Sequence, residues 1–282
     1  MSSYQLEKLG ATFGARITGL DLRDRLDQGS ARRLIDDLTE HRLLVLPGQK
    51  LGHEEHVRFS RIFGPLDVYP VRQYVVPEFP EVLKISNIFQ NGKPIGLYDG
   101  DDQIEWHTDY SWKTVMSRAS LLYSEIAPAE GGDTLFADST VAYDELPESL
   151  KREVESLRAV HSMNYLVETE RRTNPHKAPL TPEERERMPD VAHPLVRVHP
   201  VTGRRSLLLG SMIISGVVGL AEADSSALLD RLLRHATADR YLYRHRWHQG
   251  DLVIWDNQAT MHTRTPCDHK EHRRLLYRTT VM

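Results

Sequence analysis

The chain has 282 residues, 40% of them hydrophobic, enough apolar material for one large core without a second domain. Its 36 basic and 40 acidic side chains leave a net charge of -4, so the basic excess of a nucleic-acid binder is missing and small-molecule chemistry is the better expectation. A single cysteine, Cys267, excludes an intrachain disulfide and any multi-cysteine zinc or iron–sulfur centre, and leaves metal binding to nitrogen and oxygen.

The first ten residues lack the apolar core of a targeting segment, and no later stretch approaches the roughly 18 apolar residues of a membrane span. These features predict a soluble cytoplasmic protein with no membrane partner. Leu43-Leu44-Val45-Leu46 before Pro47-Gly48 reads as a buried strand and turn, and 53–63 has helical spacing in Val57, Phe59, Ile62 and Phe63. Further short strands are predicted at 82–86, 120–123, 134–136, 195–198 and 206–209, with helices over 147–158 and 225–236 between them. Strands at 241–247, 252–255 and 275–281 close the chain. Many short strands with few helices predict a mainly β fold with flanking helices, a double-sheet jelly roll, as one domain over 1–282. The polar, proline-bearing segment 163–190 is predicted as a loop excursion, either near the site or on the surface.

Trp106-His107-Thr108-Asp109 sets an imidazole and a carboxylate two residues apart, which on a strand would aim both at one face. A histidine from far along the chain would complete a facial set of two histidines and one carboxylate, with three adjacent metal positions left open. His262 is the candidate, because a buried strand, a turn, this histidine and a basic strand follow in order through Trp255-Asp256-Asn257 to Arg273-Arg274 and Arg278. Arg274 and Arg278, four residues apart on that last strand, share a face and suit the carboxylates of an organic diacid. In Gly131-Gly132-Asp133-Thr134 the glycines permit close backbone approach and Thr134 offers a hydroxyl to a bound oxygen.

On these residues the sequence resembles the taurine dioxygenase and 2,4-dichlorophenoxyacetate dioxygenase (TauD/TfdA) family, and is most similar to its 2,4-dichlorophenoxyacetate members. The resemblance spans nearly the whole chain, from Gly14-Ala15-Arg16-Ile17-Thr18-Gly19 through Phe63-Gly64-Pro65-Leu66, Trp106-His107-Thr108-Asp109 and Gly131-Gly132-Asp133-Thr134 to Trp255-Asp256-Asn257 and Arg278-Thr279-Thr280. It implies a double-stranded β-helix (a jelly roll, cupin-like) with iron(II) on His107, Asp109 and His262. It further implies 2-oxoglutarate chelating the iron, its distal carboxylate meeting Thr134 and Arg274, and O2 as the oxidant. Counting from His262 would choose Arg273 instead of Arg274, whereas anchoring on Arg278-Thr279-Thr280 chooses Arg274. The resemblance assigns Arg278 to the anionic group of a small acid substrate, and places Tyr69, Asn87 and Tyr110 as pocket candidates that could equally be packing. Tyr69 stands where taurine dioxygenase has a sulfonate-binding histidine, which disfavours taurine.

The implied reaction is hydroxylation of an unactivated C–H bond with release of succinate and CO2. If the carbon bears an ether oxygen, as in aryloxyalkanoates, the product collapses with ether cleavage. Hydroxylation of an amino-acid-derived or sulfonate metabolite is an alternative. Two readings from other classes stand beside it: a zinc hydrolase on the same three ligands, against which Arg274, Arg278 and Thr134 argue, and a non-catalytic metal- or ligand-binding barrel. Relatives of this kind form homo-oligomers, so a dimer or tetramer is expected.

Overall fold

The computed structural model describes residues 4–98, 100–173 and 179–282. Two sheets carry the fold. Their strands in chain order are β1 (Gln5–Lys8), β2 (Ala15–Thr18), β3 (Leu43–Leu46), β4 (Val75–Val76), β5 (Phe79–Ser86), β6 (Ile104–His107), β7 (Ala119–Ile126), β8 (Thr134–Asp138), β9 (Leu242–His245), β10 (Leu252–Asp256), β11 (Thr260–Arg264) and β12 (Leu275–Val281). The larger sheet has the order β1-β2-β3-β10-β7-β12-β5-β4 and the smaller one β9-β8-β11-β6. The helices are α1 (Gln28–His41), α2 (His53–Ser60), α3 (Ser139–Asp144), α4 (Glu148–Val154), α5 (Met163–Thr173), α6 (Pro182–Arg187) and α7 (Glu222–Ala236). The protein is mainly β with flanking helices.

The alternation of side chains along a strand explains why β3 is apolar throughout. Leu44 and Leu46 join Leu121, Leu252, Ile254 and the helical residues Leu34, Leu38 and Phe59 in one core. Leu43 and Val45 point the other way and pack with Leu122, Val253, Trp255, Leu276 and, from the smaller sheet, Phe136. The larger sheet is therefore covered by α1 and α2 on one face and by the smaller sheet on the other. That second, inner face is where the predicted site residues gather.

Some predicted boundaries shift. The helix expected over 53–63 ends at Ser60, although Phe63 stays buried beside Phe59. The helix expected over 147–158 stops at Val154, and Arg158–His161 becomes a strand between Val191–Pro194 and Ile214–Val217. Ala159 and His161 are buried there while Arg158 is exposed, a period-two pattern that overrides the helical spacing. The loop excursion expected over 163–190 is corrected as well: α5 and α6 occupy much of it, and residues 174–178 lie outside the described residues. The Thr181–Glu184 capping box with Pro182 in the first turn nucleates α6, so the polar composition belongs partly to solvated helix faces. Helix α1 went unpredicted. It starts at Asp27, whose carboxylate accepts from the Ser30 amide at 2.9 Å, and ends at Arg42 in the left-handed conformation.

Candidate active site

Strands β6 and β11 are neighbours, and their register sets His107 opposite His262. Opposed residues of an antiparallel pair project to the same face, and the two imidazole centroids stand 4.2 Å apart. Asp109 arrives differently from the sequence expectation. β6 ends at His107, and the chain turns: the Thr108 hydroxyl donates to the Thr260 carbonyl at 3.2 Å, and Tyr110 takes φ 61, a left-handed conformation costly for a non-glycine residue. The carboxylate is thus returned to the imidazoles by a turn and not by strand alternation. Ligand atoms of His107, Asp109 and His262 all lie within 4.8 Å of one another.

The donors are prepared for a cation. Nδ1 of His107 is 2.8 Å from the Glu105 carbonyl, so that nitrogen carries a proton and the contact fixes the ring. Burial drives the His262 imidazole down to about 3, and the neighbouring His107 works in the same direction, so His262 is neutral at ordinary pH. Its Nδ1 is buried with no hydrogen-bond partner among the described residues. Burial alone would raise the Asp109 carboxyl, but Arg278, His262, His107 and the Ser120 hydroxyl outweigh it and hold the group at about 2. Arg278 Nη1 donates to Oδ1 at 2.8 Å and Ser120 Oγ to Oδ2 at 2.6 Å. Two imidazoles and one carboxylate on a face fit a six-coordinate iron(II) ion with open positions.

The anion-binding candidates line the same interior. Alternation along β12 puts Leu276 and Arg278 on its inner face, and Arg274, the residue before the strand, is buried. Arg274 is 5% exposed whereas Arg273 is exposed, so only Arg274 reaches the interior. A Cβ at Gly132 would stand 3.1 Å from Arg274 Cδ, and Gly132 has φ 64, so this turn closes over the arginine only because no side chain intervenes. Thr134 lies one strand step beyond, its hydroxyl accepting from Trp247 Nε1 at 3.0 Å.

Arg278 touches the carboxylate ligand, as given above. Tyr110 is buried and stacks on Trp112 at 5.9 Å, with Lys113 Nζ 4.2 Å above its ring. Burial pushes its phenol up against the opposing pull of Arg278. Tyr69 is half-buried, two residues after Asp67, the partner of Lys113 at 2.8 Å. Asn87 is buried beside Arg274 and lines a cleft with it, and its side chain also bonds backbone. Its Oδ1 accepts from the Arg274 amide at 2.7 Å and its Nδ2 donates to the His272 carbonyl at 2.8 Å, so its amide latches the chain that carries Arg274.

Sequence reasoning missed Arg264 and Ser120. Arg264 faces Thr134 across β8 and β11, shares the His262 face, and donates through Nη2 to the Gly100 and Asp102 carbonyls at 2.8 and 2.7 Å. Arg264 and Arg274 line one cleft with Ile85, Asn87, Tyr98 and Ile104. The signal was the His-x-Arg alternation at 262–264, in a strand that was not predicted. Ser120 carries no sequence signal, because its role exists only once β7 lies behind Asp109.

The chain is 35% identical to the alpha-ketoglutarate-dependent 2,4-dichlorophenoxyacetate dioxygenase of Cupriavidus pinatubonensis, over 95% of this chain and 94% of that protein. It is also 35% identical to an alkylsulfatase of Acinetobacter baylyi, over 98% and 84% respectively. The crystal structure of AAD-2 in complex with Mn(II) and N-oxalylglycine superposes with a TM-score of 0.83 at 31% identity, over 99% of this chain and 96% of that one. The model of the taurine catabolism dioxygenase TauD, TfdA family matches residues 5–280, and with these likenesses it places the chain in that family of oxidoreductases.

Proposed function

We propose that this protein is an iron(II)- and 2-oxoglutarate-dependent dioxygenase that hydroxylates a small carboxylate-bearing substrate, with His107, Asp109 and His262 as the metal ligands. The observation that carries the reading is the convergence of these three donors within 4.8 Å beside Arg278, with Arg274 buried just before the same strand. The cofactor set is iron(II), 2-oxoglutarate and O2. With iron bound, the centre supplies O2 activation coupled to conversion of 2-oxoglutarate to succinate and CO2, and oxidation of a substrate C–H bond to C–OH.

The chain's own residues bind, orient and exclude water. His107 and His262 offer imidazole nitrogens, that of His262 neutral, and Asp109 brings the negative charge that holds a dication in a buried site. Arg274 and Thr134 take the distal carboxylate of 2-oxoglutarate, a bidentate guanidinium contact of the kind that positions diacids. Arg278 reaches Asp109, where the anionic group of a substrate beside the metal would meet it. Trp255 and Phe136 pack against His262 at 4.9 and 5.9 Å and keep that side dry. The relatives named for a phenoxyacetate support an aryloxyalkanoate, and hydroxylation beside its ether oxygen would cleave the ether. Alkyl sulfates are a second substrate class, favoured by the alkylsulfatase likeness and by the same anion-binding arginine.

The same proposal takes the two packed sheets as the two sides of a double-stranded β-helix in one domain. It also takes the protein to work in the cytoplasm as a dimer or tetramer, which light scattering would check. The function itself is tested by anaerobic addition of iron(II) and 2-oxoglutarate to metal-free protein. A visible charge-transfer band in the wild type that is lost in His107→Ala is expected, followed by succinate release with an aryloxyalkanoate. No band in the wild type would overturn the reading.

A further inference from the structure

We propose that Asn257 is a positioning residue of the metal centre: its amide fixes the hydroxyls of Ser117 and Ser120, and through them the carboxylate and the main-chain carbonyl of Asp109. The inference rests on the assignment of Asp109 as a metal ligand. Its basis is directional. An indole nitrogen can only donate, and Trp255 Nε1 donates to Asn257 Oδ1 at 2.9 Å, so the amide orientation is decided by its surroundings. The NH2 group of Asn257 then faces two serines, at 2.9 Å from Ser117 Oγ and 3.0 Å from Ser120 Oγ.

Each serine oxygen that accepts from Asn257 turns its own proton elsewhere. Both protons go to one residue: Ser120 Oγ donates to Asp109 Oδ2 at 2.6 Å, and Ser117 Oγ donates to the Asp109 carbonyl at 3.0 Å. All members are buried, with Ser117 and Ser120 at 0%, Asn257 at 1% and Asp109 at 5% exposure, so water cannot substitute for a lost partner. The backbone of Asn257 is held too, its amide donating to the Arg118 carbonyl at 2.9 Å. Trp255, which starts the relay, also packs its ring 4.9 Å from the His262 ring. One indole therefore backs one ligand and, through an amide, orients another. The turn at Tyr110 leaves Asp109 outside the sheet, without the ladder bonds that hold His107 and His262, and the relay supplies the restraint it lacks.

The test is titration of Mn(II) into metal-free protein, with free Mn(II) counted by electron paramagnetic resonance and melting followed without metal. Asn257→Leu keeps the branched shape without the amide and is expected to raise the Mn(II) Kd about tenfold or more, and Ser120→Ala to raise it about 10–100-fold. The double variant is expected to bind no more weakly than the worse single variant, because both remove the same relay. Multiplied effects, or wild-type affinity in Asn257→Leu, would overturn the relay. If Asn257→Leu does not fold, Ser120→Ala against Ser117→Ala decides: the relay requires the larger loss from Ser120, which touches the carboxylate, and equal losses overturn it. Failure of the wild type to bind Mn(II), or unchanged binding by Asp109→Ala, would sink the ligand assignment itself and is read separately.

Discussion

Arg273 and Arg274 are neighbours with the same side chain, and one step along the chain separates solvent from the interior. Burial decides which of the two can meet a ligand. Charge-assisted hydrogen bonds of this kind contribute about 1.5–3 kcal/mol, so Arg274→Ala should raise the Kd for 2-oxoglutarate about 10–100-fold, measured by calorimetry on Mn(II)-loaded protein. Arg273→Ala should leave it unchanged. Equal effects from the two would contradict the assignment of Arg274 to the co-substrate. The identities of both arginines, of His107, Asp109 and His262, and of Thr134 were legible in the sequence, because each is a chemically distinctive residue in a patterned context. The work of Asn87 was not, since an asparagine that latches backbone looks the same on paper as one that only lines a pocket.

At the scale of elements, the turn before β8 shows how a glycine pair serves a site it never touches chemically. The Gly132 amide donates to the Pro266 carbonyl at 2.9 Å, and Asp133 exchanges bonds with Thr265 at 2.9 Å each way, so the turn is stitched to the loop after β11 directly above Arg274. Gly132→Ala would force a Cβ to 3.1 Å from Arg274 Cδ in a left-handed backbone conformation. Such a conformation costs about 1–2 kcal/mol for a residue with a Cβ. The expected result is a melting point lower by several degrees and weaker 2-oxoglutarate binding with an unchanged Mn(II) Kd; calorimetry on the two ligands separates them. A parallel loss of metal affinity would mean that the turn supports the whole site. Strands such as β3 and β10 were readable in advance because both their faces are apolar, whereas α1 and the true end of α4 depend on a cap and on strand partners distant in sequence.

For the molecule as a whole, three of the buried histidines, His56, His161 and His262, lie in separate regions. Burial is the main cause in each case and pushes His56, His161 and His262 down to about 3. A group whose folded pKa lies below its unfolded value of about 6.5 binds protons preferentially in the unfolded chain, so stability falls as pH drops below that point. Each such group contributes a slope of about 1.4 kcal/mol per pH unit until the folded value is reached. Asp109 acts in the same direction lower down, as pH falls from 3.8 toward about 2. Urea unfolding of metal-free protein should therefore show a steep loss of stability between neutral pH and pH 5. His161→Leu, remote from the metal ligands in sequence and lying on the three-stranded sheet, should flatten that slope by the share of one group. An identical slope in wild type and variant would disprove the assignment of His161 as a buried neutral imidazole.

What the sequence by itself determined was the mainly β class, the oxygenase family and a set of candidate donors, because each rests on local facts: apolar periodicity, residue type, and motifs in order along the chain. Even there the His107–Asp109 pair comes together by a different route, a turn at Tyr110 in place of an extended strand. Only the tertiary structure decided what lies behind the ligands: the choice of Arg274 over Arg273, the position of Arg264, the contact of Arg278 with Asp109, and the Trp255–Asn257–Ser120 relay. The physical reason is range. Hydrogen bonds between residues 120, 109 and 257 form only after β7 and β10 have paired and the turn after β6 has closed over them, and no spacing along the chain encodes that meeting.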